Sequence, residues 1–310
     1  MKTLVTGGAG FIGSNLVKTL VEEGHEVVVF DNLSSGYQSN LSPSLIVEFV
    51  KGDIRDAESL LKVMRGIEVV FHLAASVGNL RSIENPIEDA EVNVIGTLNV
   101  LNASREADVR RVVFSSSASI FGDVKHPPVQ ETHSVEPTSP YGVSKLAAEK
   151  MCLTYAKLYD LDSICLRYFN VYGLNQRHDL YGNVVPMFAY RLLRGLPLVI
   201  FGDGEQTRDF VNVRDVARAN LLAAQATAKS GAFNIASGTA VTINRLVEVI
   251  REISGMDMRV EHAPPRQGDV KHSWADITIA RASLGYQPTV DLQEGLTEYL
   301  SWMKPAVDRT

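Results

Sequence analysis

Tyr141 and Lys145 stand four residues apart in Tyr141-Gly142-Val143-Ser144-Lys145, a spacing that puts a phenol and an ammonium on one face of a helix. A phenol with its ordinary pKa of about 10 is a poor base at neutral pH, and a close cation lowers that value toward useful proton transfer. The spacing alone is a weak signal, so its context decides. Upstream, Ser115-Ser116-Ser117 closes a β-branched run. A serine beside a Tyr–Lys pair can orient a substrate hydroxyl and share its proton while hydride leaves the same carbon.

Hydride needs an acceptor, and the chain opens with a place for one. Gly7-Gly8-Ala9-Gly10-Phe11-Ile12-Gly13 follows an apolar run and precedes a helical one. Gly7 permits the tight turn, Gly10 the approach of a pyrophosphate to backbone, and Gly13 close helix–strand packing, with phosphate at the helix N-terminus. Asp31 ends the next apolar run, about 20 residues on, where a carboxylate accepts from a ribose diol. It also repels a 2′-phosphate, and residues 32–37 carry no Arg or Lys, so NAD is favoured over NADP. Gly52-Asp53-Ile54 and His72-Leu73-Ala74-Ala75 close later runs and are placed to support adenine and ribose.

Positioning these groups takes a layered fold. Short runs at 3–6, 26–30, 46–51, 69–73, 111–115 and 163–167 read as six strands. Segments 15–23, 89–104 and 141–159 read as amphipathic helices; in the second, Val92, Ile95, Leu98 and Asn102 trace one mostly apolar face. Alternation of the two predicts an α/β protein with a doubly wound parallel sheet. Beyond about Asn170, Gly- and Pro-bearing loops separate shorter elements, which predicts a first domain over 1–170 and a smaller lobe over 171–310, interleaved into one compact unit.

Composition narrows the partners. Among 310 residues, 30 are basic and 36 acidic, a formal charge of −6 that argues against a phosphate-backbone binder, so no nucleic acid is expected. No run of about 18 apolar residues and no signal-peptide pattern occurs, which points to a cytoplasmic protein with no membrane partner. Cys152 and Cys165 cannot build a disulfide framework and read as two buried thiols in a reducing compartment. The seven His contain no H-E-x-x-H, so no metal is expected.

Taken in order, Thr6–Gly13, Asp31-Asn32, Gly52-Asp53-Ile54, Leu73-Ala74-Ala75, Asn93, Ser115–Ser117, Tyr141–Lys145, Arg167-Tyr168-Phe169-Asn170, Arg208-Asp209-Phe210 and Arg266-Gln267-Gly268-Asp269 resemble the extended short-chain dehydrogenase/reductase family. Within that family of NAD-dependent epimerases and dehydratases, the likeness is to the UDP-hexose 4-epimerases. It implies a Rossmann-type sheet with a smaller C-terminal α/β substrate-binding lobe, and a homodimer. Catalysis would fall to Ser117, Tyr141 and Lys145, Ser117 being the third of its run. NAD would be held by Gly7, Gly10, Phe11, Ile12, Gly13, Asp31, Asn32, Asp53, Ile54, Leu73, Ala74, Ala75, Asn93, Tyr141, Lys145 and Tyr168. A UDP-sugar would be held by Ser117, Asn170, Asn183, Val199, Phe201, Arg208, Arg266, Asp269 and Ser273. By the same resemblance, Tyr141 takes the 4-hydroxyl proton as the C4 hydride passes to NAD, and the 4-keto sugar turns over before the hydride returns.

The small Ser273 stands where relatives carry a bulky aromatic or a small residue, which implies that N-acetylated UDP-hexoses are accepted along with UDP-glucose and UDP-galactose. Phe121 replaces the family's usual Tyr, and Ser76-Val77-Gly78-Asn79-Leu80-Arg81 is an atypical loop whose Arg81 could meet a uronate, so a UDP-uronate epimerase is the competitor. Dehydration is disfavoured because Ala118-Ser119, and not an Asp-Glu pair, follows Ser117. An NAD-sensing regulator would be expected to lack part of the Tyr–Lys–Ser set, which is intact.

Overall fold

Among the residues that the computed structural model describes, 1–178, 183–265 and 270–307, seven strands form one parallel sheet. They are β1 (Lys2–Thr6), β2 (Glu26–Asp31), β3 (Glu48–Lys51), β4 (Val69–His72), β5 (Arg111–Ser117), β6 (Asp162–Tyr168) and a last strand, Ser230–Ile235, that pairs with β6. The order is 230–235, β6, β5, β4, β1, β2, β3, so the winding reverses beside β1, where a doubly wound sheet leaves its ligand crevice.

Side chains alternate across the sheet, and both faces are covered. Val5, Val29, Phe71, Val113 and Leu166 pack under helices α1 (Phe11–Glu22) and 213–225. Leu4, Val28, Val70, Phe114 and Cys165 face α2 (Ala57–Val63), α5 (Gly96–Glu106) and α6 (Pro140–Tyr159). Two helices precede α5: α3 (Asn79–Glu84) and α4 (Pro86–Ala90). Burial on both sides explains why these strands read as continuous apolar runs.

Four expectations need correction. The sheet has seven strands and not six, because Ser230–Ile235 returns from beyond residue 170. The third strand starts at Glu48, leaving Ile46 91% exposed. The first helix starts at Phe11, since Gly10 in extended geometry begins it four residues before Asn15. The predicted helix 89–104 is three pieces: α4, a π-turn over Glu91–Ile95, and α5. The extra residue in that turn rotates the surface, so Ile95 is 51% exposed while Asn93 is buried.

The later segments build a second core on Tyr172, Phe188, Leu198, Leu246 and Tyr299. It holds α7 (Val184–Leu193), the parallel pair Leu198–Phe201 with Val260–Ala263, and helices Ile243–Ser254 and Leu292–Val307. Asp209, fully buried, ties this lobe to the sheet's carboxyl edge. It accepts from Ser237 N (2.7 Å) and Oγ (2.6 Å), Gly238 N (3.0 Å) and Ala275 N (3.2 Å).

Candidate active site

Strand alternation sorts the three serines. Ser116 donates to Glu149 Oε2 at 2.6 Å on the α6 side, inside a buried pair with Arg167 (3.0 and 2.7 Å). Ser117 points the other way: its Oγ accepts from Ser119 N (3.2 Å) and Ser119 Oγ (2.9 Å), and it lies near enough to the Tyr141 phenol to oppose the rise in its pKa. The third serine of the run is thus the one that meets Tyr141.

The start of α6 is fixed before Tyr141 by several devices. Ser139 caps it, accepting from Gly142 N at 3.2 Å, and Pro140 fills the first turn. Ser82 Oγ accepts from Tyr141 N at 3.0 Å. Gly142 is required because a Cβ there would lie 2.6 Å from Ser119 O. α6 therefore presses its first turn onto the loop after β5, which brings Tyr141 to Ser117.

Burial pushes the Tyr141 phenol up to about 12, against a lowering by the nearby Ser117 hydroxyl. Burial likewise pulls the Lys145 ammonium down to about 8. The expected lowering of Tyr141 by Lys145 is not what these side chains produce: the ammonium lies over the Phe114 ring, 4.6 Å from its centroid.

Asn93 is a hub. Its Nδ2 reaches Ser76 O (2.9 Å), Asp89 Oδ1 (3.0 Å) and Ser144 Oγ (3.1 Å), and its Oδ1 accepts from Ser76 N (2.9 Å). Its amide is spent on positioning. A chain runs on from it: Thr97 Oγ1 donates to Asn93 O (2.7 Å), and His72 lies between Thr97 (3.0 Å) and Thr6 (2.8 Å), whose oxygen accepts from Ala74 N (3.3 Å). Sequence reading missed Asp89, Ser144 and Thr97; the four-residue helical spacings 89, 93 and 97 were the available signal.

The other NAD candidates surround the turn after β1. Gly7 has φ +70°, and a Cβ on it would sit 2.6 Å from Ala74 N; on Gly13 a Cβ would sit 2.1 Å from Gly7 O. A Cβ on Gly10 meets only Gly7 O at 3.1 Å, so its outer side is open. No side chain caps α1, leaving the N–H groups of its first turn, at Phe11 and Ile12, for an anion. Asp31 accepts from Ala9 N (2.9 Å) and Leu33 N (2.8 Å), each oxygen keeping a lone pair for a ribose hydroxyl. These residues fit a dinucleotide. Asp53, held well below the carboxylate range by hydrogen bonds from Arg55, also accepts from Asn32 Nδ2 at 2.8 Å. Ile54 faces Gly96 and the core, and Leu73 and Ala75 flank Ala74 at the end of β4. The Tyr168 hydroxyl is spent on Asn220 (2.9 Å).

Across the edge lies a cleft of about 190 Å³ whose walls include Asn170, Asn183, Val199, Phe201 and Arg208, five of the residues expected to hold substrate. Met187, Phe188 and Gln206, not foreseen, also line it. Asn170 Nδ2 donates to Asp209 O at 3.3 Å. Ser273 is half-buried, its N–H donating to Thr207 O (3.2 Å), next to Arg208. Arg266 and Asp269 lie outside the described residues. Phe121 is buried beneath the Arg167 guanidinium, 5.0 Å away. Among the described residues, no group of three His, Cys, Asp or Glu could hold a metal ion, and no helix is long and apolar enough to cross a membrane.

The model of the NAD dependent epimerase/dehydratase family matches residues 3–236, from β1 to the end of the last sheet strand. The chain belongs to this family. A relative, the UDP-glucose 4-epimerase of Mycolicibacterium smegmatis, is 42% identical over 310 residues, covering 98% of this chain and 99% of the relative. The crystal structure of the Thermotoga maritima UDP-glucose 4-epimerase with UDP-glucose has a TM-score of 0.94 at 41% identity, covering 99% of this chain and 100% of that one. A UDP-N-acetylglucosamine 4-epimerase from Methanobrevibacter ruminantium M1, in complex with UDP-N-acetylmuramic acid, reaches 0.95 at 36% identity, covering 98% of both chains. Membership makes NAD the cofactor, and the turn from Gly7 to Gly13 fits a dinucleotide.

Proposed function

We propose that this protein is an isomerase that inverts C4 of a UDP-hexose. The observation that carries the reading is the meeting of Ser117 and Tyr141 at the carboxyl edge of the sheet, with the α1 cradle and the 190 Å³ cleft on the same edge. NAD, when bound, supplies the two-electron acceptor that takes the C4 hydrogen and gives it back. Tyr141 Oη accepts the 4-hydroxyl proton, and Ser117 Oγ holds that hydroxyl in line with it. Lys145 would hold the nicotinamide ribose. When the hydrogen returns to the other face, Tyr141 returns its proton to the oxygen and the protein is restored.

Turning the sugar over requires firm anchoring of the nucleotide and loose holding of the hexose. Val199 and Phe201 offer apolar surface to uracil, Arg208 a guanidinium fork to diphosphate, and Asn170 and Asn183 amides to the substrate. Arg266 and Asp269 are proposed to join them. Residues 1–170 would then serve the coenzyme and 171–310 the nucleotide sugar. The small Ser273 leaves room for an N-acetyl group, and Ser273→Tyr should lower turnover of N-acetylated sugars selectively.

The solvent-facing residues Ile83, Ile87, Ile95 and Val143 on α3, α4, the π-turn and α6 support a homodimer. Cys152 and Cys165, free, buried and in contact, support a reducing cytoplasm. The deciding experiment incubates the purified protein, without added coenzyme, with UDP-hexoses, UDP-N-acetylhexosamines and UDP-uronates, following C4 by NMR. Inversion of a UDP-hexose is expected; inversion of uronates alone would move the reading to the Arg81 side. Protein that carries no adenine dinucleotide and inverts none of them would end it.

A further inference from the structure

We propose that Arg177 and Tyr37 are positioning residues for the coenzyme: their contact clasps the loop after β2 to the second lobe and so slows the release of NAD from the turn at Gly7–Gly13. The inference rests on NAD being the cofactor and does not depend on which sugar is bound.

Residues 32–37 carry no Arg or Lys of their own, and the fold brings a guanidinium to them from far along the chain. The Arg177 guanidinium lies over the Tyr37 ring, 4.3 Å from its centroid, and its Nη1 donates to Ser35 O at 3.3 Å. A planar cation can serve a ring and a carbonyl together. The loop it holds is bonded to the coenzyme turn. Tyr37 N and Asn40 Nδ2 both donate to Ala9 O, at 3.0 and 2.8 Å. Gly36 lies so close that a Cβ there would be 2.7 Å from Ala9 O and 2.9 Å from Gly10 N. Ala9 N in turn donates to Asp31 Oδ2 at 2.9 Å. A loop that lifts away from Ala9 therefore loosens both the backbone beside Gly10 and the hydrogen bond that orients the Asp31 carboxylate.

The segment that carries Arg177 is anchored on both sides. Asn175 Nδ2 donates to Ser14 Oγ and Asn15 Nδ2 to Leu174 O, each at 2.9 Å, which fastens it to α1. The Tyr299 hydroxyl donates to Gln176 O at 2.8 Å, and His178 stacks on Tyr190 of α7 with centroids 4.0 Å apart, which fastens it to the second core. Residues 174–178 thus reach both α1, which follows the glycine turn, and the loop that packs on that turn. Held at these points, Arg177 is a fixed post against which the loop is tied. In the reaction proposed above, the coenzyme is reduced and reoxidised within one turnover, so a cradle that opened midway would strand the oxidised sugar. Slow release is what the clasp supplies.

The test is the rate at which NAD bound to the purified protein exchanges with excess isotopically labelled NAD, followed by mass spectrometry. Wild type is compared with Arg177→Ala, Tyr37→Ala, the double variant and Tyr37→Phe. Both side chains are exposed, so truncating them leaves no cavity. Each alanine variant should exchange about five- to tenfold faster than wild type, and the double variant no faster than Arg177→Ala, because one shared contact is lost. Tyr37→Phe keeps the ring and should exchange at the wild-type rate. Thermal unfolding in saturating NAD should stay within about 3 °C of wild type in all of them. Exchange by Arg177→Ala within about twofold of wild type, or alanine effects that multiply in the double variant, would overturn the proposal. So would faster exchange matched by a large fall in the melting temperature, which would make the contact merely structural. Wild-type protein that retains no NAD would sink the coenzyme reading of the turn itself, whereas retained NAD with unchanged exchange in the variants sinks only the clasp.

Discussion

Ser116 gives its proton to Glu149 at 2.6 Å, on the opposite side of β5 from the serine that follows it. Neighbouring serines thus divide between holding the sheet together and facing the reacting groups. Ser117→Ala should lower kcat about 100-fold with little change in KM, as expected for a group engaged in proton transfer. Ser116→Ala should leave kcat within about threefold and cost about 1–3 kcal/mol in denaturant unfolding, because Glu149 loses a buried donor. Equal kinetic losses in the two variants would refute this division.

Gly13→Ala probes the cradle. The added Cβ would lie 2.1 Å from Gly7 O, a backbone atom that cannot step aside without moving the turn proposed to receive the pyrophosphate. Purified variant should contain less than about a tenth of the wild-type NAD, scored by absorbance after denaturation. Gly24→Ala, which meets no atom within 4 Å but has φ +76°, should keep its coenzyme and lose only a little stability.

Burial of Lys145 exacts a stability cost that has a definite pH window. Its value falls from 10.5 when unfolded to about 8 when folded, so folding is fully favoured by this group only above 10.5, and the penalty is complete below about 8. Lys145→Met should therefore be inactive yet more stable than wild type at pH 7, by roughly 1–3 kcal/mol, with the gain fading toward pH 10.5. Guanidinium unfolding at several pH values measures it; a variant less stable at pH 7 would contradict this cost.

His72 gives the same case in an acid window. Thr97 Oγ1 already donates to Asn93 O, so His72 must donate from Nε2 and accept from Thr6 at Nδ1. Burial holds its value at about 3 against 6.5 unfolded, so stability from this group is complete above 6.5 and is lost as pH falls toward 3. Nitrogen NMR should find a neutral Nε2–H ring throughout pH 5–8, and His72→Gln should show a flatter fall in stability below pH 6.5. Titration of the ring near pH 6 would show the chain of hydrogen bonds to be broken.

What the sequence disclosed follows from how local each signal is. The glycine turn, Asp31 and the Tyr141–Lys145 spacing each depend on a few adjacent residues, and the structure brings them to one sheet edge. The strand Ser230–Ile235 was missed because Ser230-Gly231-Ala232 has little intrinsic preference for a strand and is placed by pairing with β6. The π-turn was invisible because one inserted residue shifts a helical stripe without changing its composition. The cleft around Arg208 was expected only through resemblance, since its residues come from five separate segments that no periodicity links.

Because the strand Ser230–Ile235 closes the open side of β6, the coenzyme-binding layer cannot be completed from the first 170 residues. About three-quarters of the chain must leave the ribosome before that layer has its final edge, and until then β6 offers unpaired N–H and C=O groups to any passing strand. A fragment ending at Asn170 is therefore expected to aggregate during translation, whereas one ending after Ile235 should hold together long enough to be recovered from the soluble fraction.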